Sequence, residues 1–292
     1  MTIDIRPLSD ALGAEISGVD LSTDIAEETF AEIRQAWLDH CLLLFRGVDW
    51  TAEQQIAFTR RIGPLHIMTP LQYNLPDHPE IFRISNLVEQ GKDVGLRRAG
   101  WGWHSDGEDK QIPNAGSLLY AIEVPPEGGD TGFANMYRAY QALPEAVRAR
   151  IEGRRVRTSR IELHHVHYPL LPALTEEDKR NRPDMYHPIV REHPETGRRS
   201  LYVGRWAVEI EGIPRAESRE LITYLQQFAI QPAFVYLHRW RVGDALLWDN
   251  RCLLHCAMPF DDDKHRRHMH RTTLEGTVPF FGKLRSAVAE AA

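Results

Sequence analysis

Cysteine is scarce in this chain, and the three that occur, Cys41, Cys252 and Cys256, are an odd number. A small secreted scaffold needs a dense, even set of cysteines for its disulfides, so this class is excluded. Residues 1–8 include an aspartate and an arginine and lack the apolar core of a signal peptide. Both observations predict a protein of the reducing cytoplasm.

Long hydrophobic runs and an excess of basic residues are also missing. No stretch approaches the roughly 20 apolar residues that span a bilayer, and the formal net charge is -6. A membrane protein or a nucleic-acid-binding protein is therefore not expected. Glycine-rich phosphate loops of the forms GxGxxG and GxxxxGK[ST] do not occur either, which disfavours the commonest nucleotide-binding folds.

Short strand-like runs and a few amphipathic helices alternate without a regular order. Strands are predicted at residues 14–19, 41–45, 117–120, 201–203 and 245–248, and helices at 27–41, 51–62, 139–151 and 215–229. This order favours an α+β fold with a mainly antiparallel core over a doubly wound sheet. The polar stretch 163–199 is predicted to be a lid-like excursion within a single domain of residues 1–292.

Two short motifs carry candidate metal ligands. WHSD places His104 and Asp106 two residues apart, so on a strand both side chains point to the same side. A polar strand end is the alternative interpretation. WDNRCLLH places His255 just after another predicted strand. Two imidazoles and one carboxylate on one face of an octahedron leave three positions open, which suits Fe(II).

A pair of arginines follows these motifs. Arg267 and Arg271 are four residues apart in RHMHR, so on a strand they share a face, and guanidinium groups bind carboxylates through two parallel hydrogen bonds.

The spacing of the cysteines matches no common zinc motif. Other candidates are interpreted as structural: a polar loop with His164, His165 and His167, and packed side chains at Cys252 and Cys256.

Six motifs, in order between residues 3 and 282, resemble the TauD/TfdA family of Fe(II)- and 2-oxoglutarate-dependent dioxygenases. They are LGAEISGVDL, LLLFRG, WHSD, PPEGGDTGFANM, WDNRCLLH and RRHMHRTTLEG. The resemblance implies a double-stranded β-helix, which is a jelly-roll core with helices outside it. It also implies Fe(II), 2-oxoglutarate and O₂ as cofactor and co-substrates, and a homo-oligomer, either a dimer or a tetramer.

The resemblance assigns roles to particular residues. The implied iron ligands, which form the catalytic centre, are His104, Asp106 and His255. The implied ligands of the distal carboxylate of 2-oxoglutarate are Thr131 and Arg267, with the adjacent Arg266 as the alternative to Arg267. Arg271 matches the position that binds the acid group of the prime substrate.

Two contacts of the taurine-cleaving members are replaced in this chain. Met68 stands in place of a histidine, and Gly100 in place of an asparagine. Together with Trp101, Trp103 and Trp206, Met68 predicts a larger, apolar substrate with one acid group. The leading hypothesis is hydroxylation of a small hydrophobic carboxylate, such as an aryloxyalkanoate. The alternatives are a sulfonate or sulfate-ester dioxygenase, and a non-oxygenase metal-binding protein such as a zinc hydrolase or an inactive binding module.

Overall fold

The computed structural model describes residues 3–169 and 172–282. Within them, the helices are α1 (Glu27–His40), α2 (Ala52–Ile62), α3 (Met136–Ala142), α4 (Glu145–Ile151), α5 (Arg160–His167), α6 (Glu176–Asn181) and α7 (Arg215–Ala229). The strands are β1 (Asp4–Pro7), β2 (Ala14–Ser17), β3 (Leu42–Phe45), β4 (Asn74–Leu75), β5 (His78–Ser85), β6 (Val88–Glu89), β7 (Lys92–Asp93), β8 (Gly116–Glu123), β9 (Thr131–Asn135), β10 (Arg155–Thr158), β11 (Met185–Pro188), β12 (Val190–Glu192), β13 (Arg199–Leu201), β14 (Ala207–Ile210), β15 (Val235–His238), β16 (Ala245–Asp249), β17 (Leu253–Ala257) and β18 (His268–Leu274).

Two sheets form the core that carries the site. Among the described residues, eight strands join one large sheet in the order β1-β2-β3-β16-β8-β18-β5-β4, and three join a smaller sheet in the order β15-β9-β17. Only the β2–β3 pair of the large sheet is parallel. Leu44 and Leu119 of the large sheet share a buried cluster with Phe133 and Leu253 of the smaller one. The two sheets therefore enclose a common apolar layer.

Two of the predicted helices begin and end close to their predicted bounds. A capping box between Thr51 and Gln54 opens α2, as predicted, and α7 has the predicted bounds. The single helix predicted over 139–151 is wrong, because α3 ends before Leu143 and α4 begins after Pro144. A proline disfavours helical geometry at the residue before it, and Leu143 has an extended ψ of 138°. None of the described helices is both long and apolar enough to cross a membrane.

Much of the region 163–199 forms helices and strands rather than a loop. It holds the end of α5, all of α6, and strands β11 and β12, and β11 pairs with β10. The prediction that its three histidines lie in a polar loop is wrong, because they lie in the last turns of α5. His164 Nε2 lies 3.0 Å from the carbonyl oxygen of Pro172. His167 Nε2 donates to the carbonyl oxygen of Arg205 over 2.9 Å.

Candidate active site

Two buried histidines from distant parts of the chain lie next to each other. His104 and His255 form an isolated antiparallel bridge and exchange both backbone hydrogen bonds, of 3.0 and 2.8 Å. Such a pair places its two side chains next to each other on one face of the strands. The imidazole centroids are 4.2 Å apart. Backbone pairing thus brings together the imidazole rings of the two histidines that the sequence indicates as candidate metal ligands.

The carboxylate of Asp106 completes a compact trio of ligand atoms. Its Oδ1 lies 3.8 Å from Nε2 of each histidine. Its Oδ2 is turned away and accepts hydrogen bonds from Ser117 Oγ, at 2.9 Å, and from Asn250 Nδ2, at 3.3 Å. The three ligand atoms lie within 4.8 Å of one another, and over the described residues no other group of His, Cys, Asp and Glu meets this criterion. Oδ1 is therefore the oxygen that would face a metal held by this trio.

Protonation of the trio suits a divalent cation. Burial lowers the pKa of His255 to about 4 and that of His104 well below its usual range. His104 Nδ1 donates to the carbonyl oxygen of Gly102 over 2.8 Å, which leaves the lone pair on Nε2. Burial alone raises the pKa of Asp106, but the charge of Arg271 leads the interactions that hold it below its usual value. Two neutral imidazoles and one carboxylate are the donor set that fits Fe(II).

Arg271 lies between this trio and an aromatic wall. Its guanidinium donates to Asp106 Oδ1 over 3.3 Å and lies 5.8 Å from the ring centroid of Phe82. Phe82 packs edge to face with Tyr73, with centroids 6.0 Å apart. Met68 packs against the same apolar cluster. Sequence reasoning missed Phe82 and Tyr73, because neither belongs to a recognisable motif.

Arg267 lines a cleft beside the end of β17, the strand that carries His255. The side chain is buried, and burial lowers its pKa to about 10. Within the described residues it forms no ion pair. The cleft is also lined by Arg98, Trp101, Ala257 and Met258, and by Asp262, whose carboxylate pairs with Arg98. A buried guanidinium without an acidic partner is costly unless an anion binds it, so this cleft suits a carboxylate.

Thr131 lies on β9 opposite Ala257 of β17. The indole Nε1 of Trp240 donates to Thr131 Oγ1 over 3.0 Å. Because a hydroxyl has one hydrogen and two lone pairs, this contact leaves the Thr131 hydrogen available to donate elsewhere. Trp240 thus orients a hydroxyl beside the strand that carries His255.

The resemblance implies that Thr131 binds 2-oxoglutarate, and on that role Trp240→Phe should raise the KM for 2-oxoglutarate by about 3- to 10-fold, the usual size of one neutral hydrogen bond. The ring volume is nearly retained, and only the donor to Thr131 is removed. Trp37→Phe is the matched control, because the Trp37 indole nitrogen is buried without a hydrogen-bond partner among the described residues. Steady-state kinetics on both variants check the prediction, and equal KM values would contradict it.

The remaining predicted site residues have different surroundings. The Trp103 ring packs over Gly132, where a Cβ would lie 2.7 Å from Trp103 Cη2. A Cβ at Gly100 would lie 3.7 Å from His104 Cε1, so the glycine leaves space beside this ligand. Trp206 is 2% exposed and belongs to a separate apolar cluster with Leu163, so we propose no contact between Trp206 and substrate. Cys252 and Cys256 are buried and free.

Similarity to known proteins agrees with this geometry. The profile of the family "Taurine catabolism dioxygenase TauD, TfdA family" matches residues 4–273. An (S)-phenoxypropionate/alpha-ketoglutarate-dioxygenase of Sphingobium herbicidovorans is 39% identical over 277 aligned positions, and the alignment covers 91% of this chain and 93% of that protein. An alpha-ketoglutarate-dependent 2,4-dichlorophenoxyacetate dioxygenase of Cupriavidus pinatubonensis is 35% identical, over 95% of this chain and 100% of that protein.

A solved structure extends the similarity to the fold. The crystal structure of AAD-2 in complex with Mn(II) and N-oxalylglycine has a TM-score of 0.82 and 32% sequence identity to this chain. The similarity covers 96% of this chain and 100% of the other. The predicted α+β fold with a double-stranded β-helix core is confirmed. The chain therefore belongs to the TauD/TfdA family of dioxygenases.

Proposed function

We propose that this chain is an Fe(II)- and 2-oxoglutarate-dependent dioxygenase whose prime substrate is a small hydrophobic carboxylate of the aryloxyalkanoate type. The position of Arg271 carries this proposal, since its guanidinium lies between Asp106 and the ring of Phe82. A cation beside an aromatic wall suits a molecule with an acid group at one end and an apolar body. Both named relatives act on phenoxyalkanoates.

Each part of the site has a distinct task in the proposed reaction. His104, Asp106 and His255 hold Fe(II), Thr131 and Arg267 hold the distal carboxylate of 2-oxoglutarate, and Arg271 binds the acid group of the substrate. Fe(II) with 2-oxoglutarate and O₂ supplies the oxidation of a C–H bond, coupled to the formation of succinate and CO₂. Arg271 and the Phe82 wall orient the carbon between the acid group and the ether oxygen.

The proposed product follows from the position of the oxidised carbon. Hydroxylation of the carbon beside the ether oxygen gives a hemiketal or hemiacetal. The bond between the hydroxylated carbon and the ether oxygen then breaks, the new hydroxyl group loses its proton to become a carbonyl, and the aryl oxygen gains a proton. An aryloxyalkanoate thus yields a phenol and an oxo acid.

Two alternatives have weaker support. A taurine-type substrate would lose two polar contacts, because Met68 and Gly100 stand at those positions and neither offers a side-chain donor for a sulfonate. In a zinc hydrolase, the buried guanidinium of Arg267 would have no carboxylate to bind. The two buried cysteines near His255 also take no part in the metal-ligand trio of the described residues. The oxygenase is therefore the better proposal.

A substrate panel tests the proposal. Succinate release is measured with (S)-2-phenoxypropionate, 2,4-dichlorophenoxyacetate, taurine and hexyl sulfate. We expect kcat/KM for an aryloxyalkanoate to exceed that for taurine by at least about 100-fold, since the two acids differ in several buried contacts. A preference for taurine or hexyl sulfate would replace the proposed substrate, and no 2-oxoglutarate turnover with any acid would overturn the oxygenase assignment.

We further propose that residues 1–292 form one domain and that segment 163–199 covers the site. We also propose that the protein is a homo-oligomer of the cytoplasm. Arg205 supports the covering role, because it donates to the Tyr168 hydroxyl over 3.1 Å and also to the carbonyl oxygen of Trp101. The three free cysteines suit a reducing compartment. The oligomer rests on the family resemblance, and light scattering during gel filtration tests it.

A further inference from the structure

A lysine and a histidine meet beside Arg271. Lys110 lies in the turn that follows Asp106, where its backbone N–H donates to the carbonyl oxygen of Gly107 over 2.8 Å. The His66 N–H donates to the carbonyl oxygen of Thr273 over 2.8 Å, so His66 lies alongside the strand that carries Arg271. Lys110 Nζ is 3.3 Å from His66 Nε2. Side chains from the metal loop and from a neighbouring segment thus converge.

The contact fixes the direction of the hydrogen bond. A lysine ammonium has donors only, so Lys110 donates and His66 Nε2 accepts. This requires a neutral imidazole with its proton on Nδ1. Burial and then the charge of Lys110 lower the pKa of His66, against an opposing contribution from Glu275, which agrees with that state. Two of the three N–H bonds of the ammonium remain available.

No carboxylate neutralises Lys110 within the described residues. The adjacent acid, Asp109, lies 3.2 Å from Arg160 instead, and Lys110 forms no ion pair within 4.0 Å. Burial lowers the pKa of Lys110, the charge of Asp109 opposes this effect, and the charge of Arg271 lowers the pKa of both Lys110 and His66. Two cations from different segments therefore face the same region, where the carboxylate of Asp106 pairs with Arg271 rather than with Lys110. An anionic ligand would relieve this repulsion.

We propose that Lys110, oriented by neutral His66, is a second binding group for the acid group of the prime substrate, beside Arg271. This assignment rests on the proposed function and extends it to the specificity of the site. Arg271 offers a planar fork, and Lys110 adds a point charge with two free donors. The combination selects substrates with an anionic end over neutral molecules of the same shape. His66 acts as a positioning residue, because it contacts the lysine.

The test compares a charged ligand with a neutral one. Calorimetry under anaerobic conditions measures binding of (S)-2-phenoxypropionate and its primary amide to enzyme loaded with Fe(II) and 2-oxoglutarate. We expect Lys110→Met to weaken binding of the acid by about 10-fold, the size of one partly exposed charged hydrogen bond. Binding of the amide and of 2-oxoglutarate should remain within about 2-fold. Lys110→Arg should restore most of the affinity for the acid.

The control is Lys92→Met, which removes the same charge from an exposed position on β7 and should leave all three affinities unchanged. His66→Leu should weaken binding of the acid by about 3-fold, because the lysine loses its orienting acceptor. An unchanged affinity for the acid in Lys110→Met, or an equal loss for acid and amide, would overturn the role of Lys110 and leave the proposed function standing. If wild-type enzyme binds neither the acid nor the amide, the proposed substrate class fails together with the role of Lys110.

Discussion

Asp106→Ala is expected to abolish succinate formation from 2-oxoglutarate. Asp106 offers the only oxygen in the trio of ligand atoms, and its loss leaves two neutral imidazoles that bind a divalent metal weakly. Even outer-shell partners of metal ligands contribute roughly 10- to 100-fold to affinity or activity, so loss of the ligand itself should exceed about 100-fold. The effect should be on metal binding first and on turnover as its consequence.

Co(II) titration and succinate release measure the two effects separately. Alanine at this position also leaves Ser117, Asn250 and Arg271 without their carboxylate partner. Asp106→Asn is therefore the second variant, since asparagine keeps the shape of the side chain. Both variants should lose activity, and Asp106→Asn should retain the fold. Asp263→Ala removes a carboxylate that is 86% exposed and should change nothing. Activity in Asp106→Ala within about 10-fold of wild type would contradict the assignment.

Local sequence signals predicted several elements well and identified three candidate ligands that lie together in the structure. The i, i+2 spacing of His104 and Asp106 and the WDNRCLLH motif are short-range patterns, and the structure brings all three ligand atoms together. The bounds of α7 follow from its apolar period and the proline before it. The break between α3 and α4 was also signalled locally, by Pro144, but the apolar period on both sides concealed it.

Contacts between distant segments account for what the sequence did not predict. Helix α5 has only 8 residues, and a helix this short depends on packing rather than on propensity. Leu163 of α5, for example, is buried with Trp206 and Val208. The hydrogen bond from Trp240 to Thr131 likewise depends on how β9 lies in its sheet. Sheet register decides such partners, and no motif encodes it.

Arg267→Met and Arg271→Met should separate the two organic acids of the reaction. Arg267 is buried in a cleft without an acidic partner, so its loss should weaken 2-oxoglutarate binding by about 100-fold, as expected for a buried charge pair. Arg271 faces Asp106 and Phe82, so its loss should weaken binding of the prime substrate by a similar factor. Each variant should leave the Kd of the other acid within about 3-fold.

Arg266→Met is the matched control and also decides which adjacent arginine binds 2-oxoglutarate. The Arg266 side chain is 66% exposed and lies 3.5 Å from Glu123, so water already solvates its charge and its loss should leave both affinities unchanged. Binding is measured by anaerobic calorimetry at saturating Fe(II), because Arg271→Met also alters the surroundings of Asp106. Loss of 2-oxoglutarate binding in Arg271→Met would exchange the two roles, and its loss in Arg266→Met would transfer the role to Arg266. The expected pattern follows from burial, since a guanidinium kept from water gains more from a carboxylate than an exposed one does.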